Sequence, residues 1–359
     1  MLTGPWVSID LAALKHNLRV ARRHAPDSRI WAIIKADAYG HGLVPVAAAL
    51  SEADGFGVAR VSEALRLRTA GIQQPILVLS GALNREELAA AQHHGLALVV
   101  HQEQQCALLE QADFKRKLRI WLKVDTGMHR LGFAPEQVPD RLARLKMLPA
   151  VASIGLMTHL ANADDPSDPR TALQCRRLYA LAQDYPAHPL SIGNSGGILA
   201  FPQSRTHWVR PGILLYGASP FRNRSAQACG LRPVMHFQTR LLAIRRQRRG
   251  DPIGYGGRYR CPEEMPIGIA AVGYGDGYPR HAPDGTPVLV GEQRAALIGR
   301  VSMDSIALDL RGVQAEPGAV ITLWGQGLPV EEIAASAETI NYTLFCGISA
   351  RVCRQYEHG

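Results

Sequence analysis

Lys35 is the residue of this sequence best placed to do covalent chemistry. It follows the apolar run Ile30–Ile34 and precedes a loop, Ala36–Gly42, that holds an aspartate, a tyrosine, a histidine and two glycines. The chain has only six lysines against 34 arginines, so a lysine closing an apolar run is not generic surface charge. An apolar setting lowers the pKa of an amine, and the neutral amine can attack a carbonyl group. The alternative is a strand-end lysine whose ammonium reaches solvent.

Two later loops, Asn194–Gly197 and Arg210–Ile213, combine glycines with groups that bind anions. The first carries Ser195 at the start of a predicted helix, where backbone amides and a hydroxyl suit a phosphate group. A carbonyl-binding lysine beside a phosphate cradle suggests pyridoxal phosphate as the cofactor.

Lys35 and these two loops lie far apart in the sequence. Parallel strands that end at the same side of a fold would bring them together. Eight short apolar runs alternate with stretches of helical periodicity over residues 1–220. This alternation predicts a (β/α)8 barrel of the TIM type, an α/β fold. A doubly wound open sheet is the alternative, disfavoured because no G-x-G-x-x-G motif follows a run. The runs are Arg29–Lys35, Phe56–Ala59, Ile76–Ser80, Leu96–Val100, Arg119–Asp125, Ser153–His159, Leu190–Gly193 and His207–Arg210.

In a barrel, the residues that follow the strands share one mouth. Lys35, His159, Ser195 and Arg210 end or follow strands one, six, seven and eight, so we expect them to converge there. A lone histidine such as His159 is more often a satisfied polar residue than a catalyst, but the convergence favours a functional site.

The alternation of apolar runs with helical stretches ends at about Tyr216. Short β-like runs divided by glycine and proline turns predict a second, mostly-β domain over residues 221–359. A helix is predicted from a cap at Ser8–Asp10 to Pro26. The β-like runs are Phe237–Ile244, Ile267–Val272, Pro287–Val290, Ala295–Ile298, Ile306–Leu310 and Val320–Trp324.

Composition excludes several classes of protein. The net charge is +9, but the one dense basic cluster, Arg245–Arg249, lacks interleaved aromatics and is typical of a turn rather than a nucleic-acid site. The apolar runs fall short of the ~18 residues that a membrane span needs, and the N-terminus lacks a secretory pattern, so we expect a cytoplasmic protein. The six cysteines show no metal spacing and predict free thiols and no metal.

Six motifs, in order along the whole chain, make the sequence similar to bacterial alanine racemases. The resemblance implies a barrel joined to a β domain that also takes up the first few residues, and a homodimer with shared active sites. The motifs are Ile34–Gly42, Asp125–Gly132, Val209–Gly212, Gly254–Gly257, Gly273–Tyr278 and Gly299–Asp304.

The resemblance implies two catalytic bases. Lys35 resembles the lysine that binds the cofactor covalently and then serves as the base for the D-enantiomer. Tyr255 matches the base for the L-enantiomer and would reach the site from the neighbouring subunit. Racemisation needs proton transfer on opposite faces of one carbon, which such a pair provides.

The resemblance also implies the cofactor contacts. Arg210 matches the arginine that faces the pyridine nitrogen, with His159 bonded behind it, and the phosphate would be held by Tyr39, Ser195, Gly212 and Ile213. Some relatives have a tyrosine where this chain has Ala350, so a phosphate contact there is missing or replaced.

For the substrate, the resemblance implies that Arg130 and the backbone amide of Met303 bind the carboxylate. Lys123 matches a lysine that is carbamylated in some relatives; a pair with Asp125 is the alternative. A narrow entrance for small amino acids would be lined by Tyr274, Arg280, Arg300 and Asp164.

Three rival functions stay open. A broader amino-acid racemase would share every motif, whereas a basic-amino-acid decarboxylase would place an acid rather than Arg210 against the pyridine nitrogen. A non-catalytic pyridoxal-phosphate carrier would not need the second domain with Tyr255.

Overall fold

Two large sheets and a two-stranded ribbon contain the strands of the computed structural model, which describes residues 4–111 and 116–358. In chain order the strands are β1 (Trp6–Asp10), β2 (Arg29–Ile33), β3 (Gly55–Val58), β4 (Ile76–Val78), β5 (Ala97–Val100), β6 (Leu118–Lys123), β7 (Val151–Met157), β8 (Leu190–Ser191), β9 (Trp208–Val209), β10 (Met235–Gln247), β11 (Pro252–Ile253), β12 (Tyr259–Arg260), β13 (Met265–Ala270), β14 (Pro287–Val290), β15 (Gln293–Ile298), β16 (Ile306–Asp309), β17 (Val320–Trp324) and β18 (Cys353–Glu357).

Strands β2 to β9 form a closed parallel barrel, in which β2 pairs with β9 to complete the ring. Strands β3 and β5 are buried at every residue, which is typical of parallel strands covered on both faces. The predicted (β/α)8 barrel is therefore confirmed. Strand β2 ends earlier than predicted, at Ile33 rather than Lys35, because the backbone after it turns left-handed.

The second large sheet has the order β13-β16-β15-β14-β17-β10-β1-β18, and β13 also pairs with β10. It contains all six β-like runs predicted for the C-terminal half, and it confirms the separate mostly-β domain. Strand β1 joins this sheet although it precedes the barrel, lying antiparallel to β10 and parallel to β18. The domain boundary after residue 220 stays a prediction.

The helices, in chain order, mostly follow the barrel strands. They are α1 (Leu11–His24), α2 (Lys35–Tyr39), α3 (Leu43–Ala49), α4 (Val61–Thr69), α5 (Arg85–His93), α6 (Glu103–Glu110), α7 (Val138–Met147), α8 (Pro169–Gln183), α9 (Ser195–Ala200), α10 (Val330–Ser336) and α11 (Asn341–Gly347). Short 3-10 turns occur at Pro135–Gln137, Pro202–Ser204, Ile213–Tyr216, Gln227–Cys229, Tyr255–Gly257 and Tyr274–Asp276.

The first helix begins directly after its predicted cap. Asp10 is the N-cap of α1, and its Oδ1 accepts a hydrogen bond of 2.8 Å from the amide of Ala13. Ser8 and Ile9 belong to β1 instead, because pairing with β10 and β18 keeps them extended.

None of the described helices has both the length and the apolar composition needed to cross a bilayer.

Two glycines in left-handed conformations provide a matched test of packing in the segment that leaves the barrel. Gly217 has φ +75°, and a Cβ placed there would lie 1.8 Å from the carbonyl oxygen of Arg232. Gly230 has φ +70°, and a Cβ there would meet nothing within 4 Å.

We expect Gly230→Ala to cost about 1 kcal/mol of stability, the strain of a left-handed alanine. Gly217→Ala should cost about 3 kcal/mol or more, since a backbone clash is added. Urea unfolding followed by circular dichroism checks this, and equal midpoints for the two variants would contradict the packing described here.

Candidate active site

Lys35 begins a left-handed helical turn at the carboxyl end of β2. The residues Ala36, Asp37, Ala38 and Tyr39 all have φ near +53°. The turn is closed by hydrogen bonds from the amide of Ala38 to the carbonyl of Ile34 (2.9 Å) and from Gly40 to Ala36 (3.0 Å). Each non-glycine residue in this conformation costs roughly 1–2 kcal/mol, so the surrounding structure must hold the turn in place.

Side chains from within the loop hold the far end of this turn. The Nδ1 of His41 donates to the carbonyls of Tyr39 (2.9 Å) and Ala38 (3.1 Å), and Oδ1 of Asp37 accepts from the amide of Leu43 (3.1 Å). Burial lowers the pKa of His41 to about 4, so its imidazole is neutral at pH 7. The ring also lies 5.0 Å from that of Phe345 on α11, which ties the loop to the C-terminal domain.

A cavity of about 1090 Å³ opens at the barrel mouth beside this turn. It is enclosed by the loops that follow the barrel strands and by α10 and α11. Ten of the residues predicted for the site line it together: Lys35, Tyr39, Lys123, Arg130, His159, Asp164, Ser195, Arg210, Gly212 and Ile213.

Arg210 is buried at the base of the cavity and tied to the barrel. Its terminal nitrogens donate to Ser191 Oγ (2.5 Å), the carbonyl of Thr158 (2.5 Å) and the carbonyl of Ile192 (3.1 Å). The contact with Nδ1 of His159, at 3.5 Å, is at the limit of hydrogen bonding. Burial lowers the pKa of Arg210 to about 10, which leaves the guanidinium charged at neutral pH.

The crowding of cations changes the protonation of their neighbours. Burial, followed by the charges of Arg210, Lys123 and Arg130, holds the pKa of His159 well below its usual value, so this histidine is neutral. Burial and then Arg130 lower the pKa of Lys35.

Lys123 shows the clearest shift among the cavity amines. Burial, followed by Arg210, Arg130 and Lys35, lowers its pKa to about 8, and Asp125 only partly opposes them. About a tenth of Lys123 is therefore a neutral amine at pH 7, and about half at pH 8.

Ser195 and Gly212 meet at the other end of the cavity. The Oγ of Ser195 accepts a hydrogen bond of 2.9 Å from the amide of Gly212. A Cβ on Gly212 would lie 2.6 Å from the hydroxyl of Tyr39, so only glycine leaves this space open. Ser195 is the first residue of α9, where backbone amides lack acceptors within the helix. This cradle, with a lysine and an arginine nearby, fits a phosphorylated pyridine aldehyde.

Tyr342, which was not predicted from the sequence, also lines the cavity. The centroid of its ring lies 5.8 Å from that of Tyr39. It belongs to α11, a helix that was not predicted either. Its spacing of four residues from Cys346, which lines the same cavity, is the helical signal that could have found it. Ala350, where relatives have a tyrosine, is exposed.

Five other predicted residues lie on the second domain, outside the lining of the cavity in this single chain. Tyr255 is 71% exposed, Met303 52% and Tyr274 40%. Arg280 lies over the ring of Tyr274, with 5.9 Å between its guanidinium carbon and the ring centroid. Arg300 is exposed beside the turn of Tyr255.

Ion pairs hold Asp164 and the loop that carries Met303. Asp164 accepts from Nε of Arg222 at 2.9 Å at the edge of the cavity. Arg351 donates to Asp276 and Asp304, both at 2.7 Å, which fixes the loop that carries Met303.

Comparisons with known proteins match the whole chain. Residues 9–220 match the family model described as the alanine racemase N-terminal domain, and residues 234–356 match that of the C-terminal domain. An alanine racemase of Nitrosococcus oceani is 50% identical over 355 residues, covering 98% of this chain and 99% of that protein. One from Halorhodospira halophila is 48% identical over 351 residues, covering 97% and 96%.

Solved structures agree with these matches. The biosynthetic alanine racemase of Pseudomonas aeruginosa is similar with a TM-score of 0.97 at 40% identity, covering 99% of this chain and 100% of that chain. The alanine racemase of Acinetobacter baumannii gives a TM-score of 0.93 at 35% identity with the same coverage.

The lowered pKa of Lys123 predicts its reactivity. In folded protein freed of carbon dioxide, acetylation of the unmodified Lys123 amine by a short pulse of acetic anhydride should be half-maximal near pH 8, because its pKa is about 8. In the urea-unfolded chain, the same lysine should show the ordinary midpoint of ~10.4. Peptide mass spectrometry across the pH range measures both, and identical midpoints would contradict the described setting.

Proposed function

Because this chain belongs to the alanine racemase family, we propose that it interconverts L-alanine and D-alanine with pyridoxal 5'-phosphate held covalently by Lys35. The observation that carries the proposal is the meeting of Lys35, Arg210 and the Ser195–Gly212 cradle in one cavity. When bound, this cofactor withdraws electrons from the substrate and makes its α-hydrogen acidic.

The cradle residues would hold the phosphate. Tyr39 and Ser195 would contribute hydroxyls and Ile213 a backbone amide, and Gly212, whose amide donates to Ser195, would leave the space open for the phosphate. Tyr342 lies beside Tyr39 and supplies the phosphate contact that the sequence leaves unfilled at Ala350. Its place in the same cavity supports this assignment.

Arg210 would direct the outcome of the reaction. Its guanidinium does not give up a proton, so it would donate a hydrogen bond to the pyridine nitrogen without protonating it. Arg210 would thereby limit the negative charge that the cofactor can accept, and would favour return of the proton to the α-carbon over transamination. The carbonyls bonded to Arg210 hold its side chain in place, and neutral His159 lies behind it.

Two bases would act on opposite faces of the α-carbon. Lys35 moves the proton for D-alanine, and Tyr255 of a partner subunit moves it for L-alanine. The strong exposure of Tyr255 supports an assignment to a partner's site in a homodimer.

The substrate carboxylate would be bound by the fork of Arg130 and by the amide of Met303 from the partner subunit. Tyr274, Arg280, Arg300 and Asp164 would form an entrance that admits only small amino acids.

We further propose that Lys123 is carbamylated and helps to position Arg130. Its lowered pKa supports this, because only a neutral amine reacts with carbon dioxide. An intact-mass measurement that finds Lys123 as an unmodified amine would contradict the proposed carbamylation.

A panel assay tests the function. We expect purified protein to show the absorbance of lysine-bound pyridoxal phosphate and to racemise alanine faster than serine, lysine or arginine. Circular dichroism or a coupled D-amino-acid oxidase assay measures turnover. A protein with neither absorbance nor turnover would exclude the enzyme, and faster turnover of a larger amino acid would exclude alanine as the preferred substrate.

The two-base assignment predicts that loss of one base affects the two enantiomers of alanine unequally. Tyr255→Phe should lose α-proton exchange from L-alanine in deuterated water far more severely than from D-alanine, because Lys35 is still present. Proton NMR of each enantiomer follows the exchange. Equal losses for both enantiomers would count against the assignment.

Mixing variants shows which subunit supplies the tyrosine. If sites are shared, a dimer of Lys35→Ala and Tyr255→Phe chains has one intact site, so an equimolar remixed sample should regain about one quarter of wild-type activity. No recovery after subunit exchange, checked by mass spectrometry of the mixed dimer, would place both bases in one chain.

A further inference from the structure

Glu63 joins the turn that carries Lys35 to the neighbouring strand of the barrel. One carboxylate oxygen accepts a hydrogen bond of 2.7 Å from the amide of Ala36, the residue directly after Lys35. The other accepts from the amides of Ala59 (2.8 Å) and Arg60 (3.1 Å), which follow β3. A single carboxylate therefore links the carboxyl ends of β2 and β3.

This link lies where the left-handed turn begins. His41 and Asp37 hold the later part of the turn, whereas the bond from Glu63 is made to the amide of Ala36, its first left-handed residue. Because β2 and β3 are paired neighbours in the barrel, the carboxylate transmits the rigidity of the barrel to the lysine.

We propose that Glu63 is a positioning residue for Lys35: it fixes the backbone of the turn that aims the amine and sets a negative charge beside it. The proposal deepens the proposed function, on which it rests, by naming a group that acts through Lys35 without touching substrate or cofactor.

The negative charge of Glu63 opposes the effect of the positive charges that surround Lys35. Arg130 and Arg210 lower the pKa of Lys35, while Glu63 and, less strongly, Cys346 of α11 raise it. Lys123 and His159 lie in the same cavity, and Asp37 in the turn is paired with Arg66 of α4 at 3.3 Å. Glu63 is thus the carboxylate that most favours the protonated amine.

Glu87 provides a matched control in the next helix. Its Oε2 accepts a hydrogen bond of 2.8 Å from the amide of Leu83 at the start of α5, as Glu63 does for α4. It makes no contact with the turn of Lys35. Glu87→Gln therefore removes a helix-start carboxylate of the same kind while leaving the candidate site alone.

The experiment measures covalent capture rather than turnover alone. Apoprotein is mixed with pyridoxal phosphate at several pH values and quenched with borohydride, and the modified Lys35 peptide is quantified by mass spectrometry. Glu63→Gln should lower the limiting capture rate about tenfold or more, because the amine is misplaced. It should also move the pH midpoint down by about half a unit to one unit, because a nearby negative charge is lost.

Glu63→Asp separates geometry from charge. It keeps the charge but is one methylene shorter, so the capture rate should fall while the pH midpoint stays near that of wild type. Glu87→Gln should lower the melting temperature less than Glu63→Gln does, because Glu87 accepts one backbone hydrogen bond from Leu83 and Glu63 accepts three, and it should leave capture within about twofold of wild type.

Capture by both Glu63 variants at the rate and midpoint of Glu87→Gln would overturn the proposal. A wild-type chain that captures no pyridoxal phosphate at Lys35 would instead overturn the proposed function itself, so the two failures are distinguishable.

Discussion

The arrangement of the cavity depends on four consecutive non-glycine residues that keep a left-handed backbone after β2. Such a turn is unfavourable by itself, and here it is held from three directions. Glu63 of α4 binds its start, His41 binds its later carbonyls, and Nε of Arg354 in β18 donates to the carbonyl of Gly40 at 3.0 Å. The turn brings Lys35 and Tyr39, four residues apart, to one cavity. The barrel alone would not do this, because its strand ends before either residue.

A second constraint is the concentration of positive charge at the mouth. Lys35, Lys123, Arg130 and Arg210 share one cavity, and each lowers the affinity of its neighbours for protons. Arg210 remains charged because a guanidinium binds its proton far more tightly than an amine does. The amines and the histidine respond instead. The same cluster therefore provides both a fixed cation and groups that can exchange protons near neutral pH.

Much of this could be predicted from the sequence, and the exceptions have physical reasons. The barrel was predictable because its strands are short apolar runs that alternate with helical stretches, with residues such as Arg210 directly after them. The place of strand β1 was implied only by the family resemblance, because Ser8–Asp10 also fits a helix start and its partners lie far along the chain.

The left-handed turn was not predicted, because alanine, aspartate and tyrosine rarely adopt positive φ. Only its tertiary contacts explain this conformation. Tyr342 was missed because α11 is short and buries only Leu344 and Phe345, too few residues to show a helical period. The contact of Glu63 with Ala36 spans two helix–strand units, and no local pattern marks it.

The pairing of β1 with β18 has a consequence for the biogenesis of the protein. Trp6 lies opposite Cys353, so a strand that precedes the barrel pairs with one that follows it. Contacts of such sequence separation form slowly, since a long loop must close first. The barrel strands can pair while synthesis continues, but β18, which carries the Arg354 contact to Gly40, is made after all of them. The complete clamp on the lysine turn is therefore assembled only after β18 has been made.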